Sequence, residues 1–85
     1  MASHKSHQAV CACVAHLLQQ EREKQGLSMN FVAERAGLSQ QMVSYVEREM
    51  RNPTLDTLLR IAAALEIDLA EIICQAQSAA KNKSK

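Results

Sequence analysis

The sequence predicts an all-α fold, five helices in one domain. Three observations carry this. One Pro and two Gly in 85 residues leave little room for the turns that hairpins need. Aromatic residues make up 2% of the chain, Phe31 and Tyr45 alone, so Leu, Ile, Val, Ala and Met must build the core. Apolar residues also recur at helical spacing in successive segments, between residues that start or stop helices. A chain of this length buries a modest core, so dimerisation or tight helix packing is expected to supplement it.

Residues 1–5 read as a disordered N-terminus, residues 6–76 as the folded domain and residues 77–85 as a basic flexible tail ending in Lys81, Lys83 and Lys85. The first helix is expected over His7–Gln25, where Val10, Val14, Leu17 and Leu18 share a face. Glu21 falls on the same face, and its aliphatic stem can pack while the carboxylate reaches solvent. Gly26 stops this helix and Leu27 anchors the crossing. Ser28 caps a second helix, Met29–Ala36, by accepting from a first-turn N–H; Val32, Ala33 and Ala36 form its buried side. Gly37 ends it, since a left-handed residue after the last turn has no Cβ to clash. Leu38 plugs the corner.

Ser39 caps the third helix, Gln40 to about Arg48, with Val43 and Val46 inward. A left-handed conformation at Glu49 would cost roughly 1 kcal/mol. Pro53 holds Asn52 extended. Thr54 caps a fourth helix, Leu55–Leu65, in which Leu55, Leu58, Leu59, Ala62 and Leu65 form the expected buried face. Asp68 and Glu71, spaced as a capping box, open a fifth helix with Leu69, Ile72 and Ile73 inward. It runs on through Cys74 and Ala76, with Cys74 expected to pack.

The stretch SMNFVAERAGLSQQMVSYVE, residues 28–47, resembles the helix-turn-helix of the phage lambda Cro/repressor type, the XRE family. The matching residues are Ala33, Gly37, Ser39, Val43, Val46 and Glu47. Small Ala33 lets the two helices cross closely, and Arg22 stands where the family usually has Arg. The resemblance continues through RNPTLDTLLRIAAALEIDLAEII, residues 51–73, and covers roughly residues 14–73. It implies a lambda-repressor-like DNA-binding domain and a transcriptional regulator. It further implies a homodimeric repressor that reads an inverted repeat in double-stranded DNA, with half-site centres about one helical turn (~10 bp) apart.

Under that reading the third helix enters the major groove. Gln40 and Gln41 at its start are candidate base contacts, because a carboxamide offers a donor and an acceptor to adenine N7 and N6. Ser44 and Tyr45, one turn later, are further base-contact candidates. Solvated helix surface is the bland reading for the Gln pair, and partial burial for Tyr45. Ser39, Arg48, Arg51, Asn52 and Asn30 are candidate backbone contacts, which fix register and carry little sequence information. At Arg48 a cation is also favoured by the helix dipole alone. Met29 departs from the family, which commonly has Gln there, and weakens the clamp of the second helix on phosphate. Glu47 reads as structural, paired with Arg35 or with a basic residue of the first helix.

The formal charge of +1 is low for a nucleic-acid binder and favours an alternative, a protein-interaction module of antitoxin or adaptor type on the same fold. A restriction–modification controller is a narrower variant of the DNA reading, suggested by size. Three Cys do not complete a disulfide framework and point to a reducing cytoplasm. His4, His7, Cys11, Cys13 and His16 have metal-like spacings, but one straight helix cannot converge four ligands on a zinc ion. No metal, cofactor or membrane span is expected. Nor is an enzyme, for there is no phosphate-binding Gly loop, nucleophile elbow or evident carboxylate pair.

Overall fold

Helix α1 spans His4–Lys24, α2 Met29–Ala36, α3 Gln40–Glu47, α4 Leu55–Ala64 and α5 Leu69–Lys83 in the computed structural model. The structure describes residues 4–49 and 52–83, and side chains over residues 7–49 and 52–80. Among these the architecture is all-α, as the sequence predicts.

The expected caps form. Ser28 Oγ accepts from the Phe31 N–H at 3.0 Å, Ser39 Oγ from Met42 at 3.1 Å and Thr54 Oγ1 from Thr57 at 3.1 Å. Asp68 also caps α5, but by taking the Ala70 N–H at 3.1 Å, and among the described residues the Glu71 side chain makes no bond back to it, so the expected capping box does not close. Three helix ends close alike, with a left-handed residue followed by an apolar one that turns back into the core. Gly26 and Leu27 close α1, Gly37 and Leu38 close α2, and Glu66 and Ile67 close α4. At Gly37 the N–H bonds the Glu34 carbonyl at 3.2 Å while the Leu38 N–H bonds that of Ala33 at 2.9 Å. Its φ is 71°, and a Cβ there would lie 3.2 Å from Arg60 Nη1. Glu49 is left-handed at φ 58°, and so, without a signal in the sequence, is Glu66 at φ 60°.

The core joins all five helices. Leu18 of α1, Val32 of α2, Val43 of α3 and Leu65 after α4 are its largest fully buried side chains. The last turns of α1 and the first turns of α5 line one crevice, so these two helices pack antiparallel. Antiparallel packing explains two differences from the sequence reading. Helix α1 starts at His4, before the expected His7, and α5 does not end near Ala76 but continues to Lys83. Ala76 is fully buried and Ala79 and Ala80 are half-buried, and Ala is the strongest helix former.

The inward face of α4 differs as well. Leu55 and Leu59 are 62% and 50% exposed, while Ile61, Ala62, Ala64 and Leu65 point inward. Asp56, Thr57 and Arg60 mark a polar side, but the apolar arc of this helix is wider than the face that is buried, so periodicity alone does not fix which part of it turns inward. Contact with α2 does, through packing and through Arg60 Nη1, which donates to the Ala36 carbonyl at 3.4 Å. Cys74, expected to pack, is exposed, because Ile72 and Ala76 take the buried positions of α5.

Candidate nucleic-acid interface

Helix α3 is held on three sides. Its N-terminus is capped by Ser39. Its inner face is Val43 and Val46, buried against α2, where Ala33 is small enough for close approach. Its C-terminal end is tied to α1 by a buried ion pair. Arg22 Nε donates to Glu47 Oε2 at 2.7 Å and Nη2 to Oε1 at 3.1 Å, a two-pronged fit to the carboxylate. The third prong, Nη1, donates to the Leu27 carbonyl at 2.7 Å and fixes the α1–α2 turn. Hydrogen bonding to Glu47 raises the Arg22 pKa above its already high value, so the guanidinium stays charged.

Glu47 thus pairs with the first-helix cation, one of the two partners expected. Arg35, the other, instead reaches Glu66 at 3.1 Å across the surface and lies 5.6 Å from the centre of the Phe31 ring. Pairing Glu47 inward has an electrostatic consequence. It is the only carboxylate between Ser39 and Arg48, so the outward face of α3 carries no negative charge.

On that face Gln40 and Gln41 are exposed in the first turn, Ser44 and Tyr45 are half-buried one turn later, and Arg48 is exposed at the C-cap. The four candidate base contacts and Arg48 therefore share one helix. Gln41 Nε2 donates to Tyr45 Oη at 2.7 Å. Ser39 is exposed; its oxygen accepts the Met42 N–H, and its own hydrogen remains a donor. Asn30 is exposed in the first turn of α2, and Asn52 is exposed before α4. Arg51 lies outside the described residues.

Two features escaped the sequence reading. The Gln41–Tyr45 hydrogen bond is one, and its i,i+4 spacing was the available signal. The exposed pair Leu55 and Leu59 is the other, hidden by their place in a regular apolar pattern. Among the described residues, no group of three or more His, Cys, Asp or Glu is placed to hold a metal ion, and no helix is long and apolar enough to cross a membrane.

A family model described as helix-turn-helix matches residues 18–72. The chain is 37% identical over 62 residues to the HTH-type transcriptional regulator SutR of Escherichia coli, covering 73% of this chain and 35% of SutR. It thus spans about a third of that relative's length. It is 42% identical over 52 residues to the uncharacterized HTH-type transcriptional regulator y4dJ of Sinorhizobium fredii, covering 61% of this chain and 68% of y4dJ. Among solved structures, the restriction–modification controller protein C.AhdI from Aeromonas hydrophila superposes with a TM-score of 0.68 at 33% identity, over 74% of this chain and 94% of that one. A point mutant of the controller protein C.Esp1396I shares the fold, with a TM-score of 0.73 at 22% identity over 79% of this chain and 87% of that one. The chain belongs to the helix-turn-helix DNA-binding family of the Cro/repressor (XRE) type, a family of transcriptional regulators and not of enzymes.

Proposed function

We propose that this chain is a sequence-specific regulator of transcription that binds double-stranded DNA in the cytoplasm, as a homodimeric repressor on an inverted repeat. The observation that carries this reading is the outward face of α3, which is polar, free of carboxylates and closed by Arg48. With α3 in the major groove, Gln40 and Gln41 meet base edges and Ser44 and Tyr45 follow one turn later. Ser39, Arg48, Arg51, Asn52 and Asn30 hold the sugar–phosphate backbone and set register. Bound at a promoter, the protein excludes polymerase sterically.

The dimer has two supports. A formal charge of +1 releases few counterions, so one domain binds DNA weakly and two domains on one duplex offset this. Leu55 and Leu59, one turn apart on α4, offer an exposed apolar patch that an isologous pairing would cover.

Selection from random duplex DNA, followed by binding to the winner over a range of salt, tests the reading. An enriched inverted repeat bound by two protomers supports it. No enrichment by the folded protein overturns it in favour of a protein-interaction module. Two variants sharpen the test. Arg48→Ala is expected to weaken binding to all sequences alike and to lower the salt slope by about 1; a loss confined to one base pair would contradict its role at phosphate. Leu55→Ser with Leu59→Ser is expected to shift the protein to monomer in analytical ultracentrifugation and to weaken full-site binding at least tenfold, about 1.4 kcal/mol. A dimer that survives both changes would place the interface elsewhere.

A further inference from the structure

We infer that Tyr45 is a positioning residue for base readout: its hydroxyl holds the Gln41 carboxamide in place on the outward face of α3, so that the two side chains act as a single reading unit. This rests on the groove docking proposed above and adds which residue sets its specificity. Gln41 Nε2 donates to Tyr45 Oη over 2.7 Å, across one turn of α3. The partners differ in freedom. Tyr45 is half-buried and turns about two side-chain bonds, whereas Gln41 is exposed and longer-armed. Tyr45 is therefore the anchor and Gln41 the group held.

A carboxamide has two N–H donors and one carbonyl oxygen. Reading adenine takes one N–H and the oxygen together, at N7 and N6. The other N–H is surplus to that contact, and it is the one that Tyr45 Oη takes up. Holding it opposes rotation of the amide plane away from the base edge. A side chain ordered in advance loses less freedom on binding. Gln40 makes no such side-chain hydrogen bond to a described residue, so the sharper discrimination belongs to Gln41.

The experiment uses the full chain and the duplex it selects. The base pair whose preference Gln41→Ala abolishes is located first, and binding is then measured to all four base pairs at that position. The proteins compared are the native chain, Tyr45→Phe, Gln41→Ala and the double variant. Tyr45→Phe keeps the ring and removes only the hydroxyl. It is expected to reduce discrimination at that base pair about fivefold and to have no further effect on Gln41→Ala. In the free protein, the Gln41 side-chain amide resonances should move to solvent-exposed positions in Tyr45→Phe. Unchanged discrimination overturns the inference, as does an equal loss in the Gln41→Ala background, which would make Tyr45 an independent DNA contact. A Gln41→Ala variant that abolishes no preference overturns it too. A folded native chain that selects no duplex overturns the groove docking and this inference together.

Discussion

Glu47→Ala is expected to lower folding stability by about 3–5 kcal/mol, the usual cost of removing one partner from a buried ion pair. Both groups are nearly inaccessible, with Arg22 and Glu47 side chains 11% and 5% exposed. Without the carboxylate, Arg22 keeps a largely desolvated positive charge with the Leu27 carbonyl at 2.7 Å and the exposed Glu23 carboxylate at 3.8 Å to face it. A domain of this size has about 5–15 kcal/mol in total, so the loss is a large fraction of it. Urea unfolding should show a lower midpoint with an unchanged slope. A double change, Arg22→Met with Glu47→Leu, should recover most of the loss, because a well-packed apolar pair is often as stable as the ions it replaces. A Glu47→Ala variant within about 1 kcal/mol of the native chain would show that the pair contributes little.

Gln41→Ala is expected to leave the fold intact and to weaken binding to the selected duplex by about 1–3 kcal/mol, five- to 150-fold. Gln41 is exposed and its side-chain hydrogen bond among the described residues is to Tyr45, so little folding energy rests on it. Affinity for unrelated duplex should be retained, because non-specific binding comes from phosphate contacts. Equal affinity of the native and variant chains for the selected duplex would exclude Gln41 from base readout. The two predictions separate the roles of α3: Glu47 acts on the placement of the helix and Gln41 on what the placed helix reads.

Much of this molecule was legible before folding, for local reasons. Ser28, Ser39 and Thr54 announce helix starts because a short hydroxyl reaches an N–H within its own first turn. Gly26 and Gly37 announce helix ends because the left-handed conformation there needs no Cβ. Glu49 takes the same conformation despite its Cβ, a possibility that the sequence raised without deciding, whereas nothing local marked Glu66. The candidate face of α3 was readable too, since Gln40, Gln41, Ser44, Tyr45 and Arg48 fall together by helical spacing alone.

By itself, then, the sequence determined the helices, their caps and turns, and which side of α3 is polar, because each of these depends on residues within about one turn of one another. Only the tertiary structure decided where the ambiguous surfaces went. The contact with α2 turned Ile61 inward and left Leu55 and Leu59 outside, a choice that a helix with an apolar arc wider than its buried face cannot make alone. The length of α5 depended on a partner distant in sequence, because its alanines are buried only where α1 lies beside them. The choice of Arg22 over Arg35 as the mate of Glu47 was likewise tertiary: it spans 25 residues and is set by how α1 crosses the end of α3.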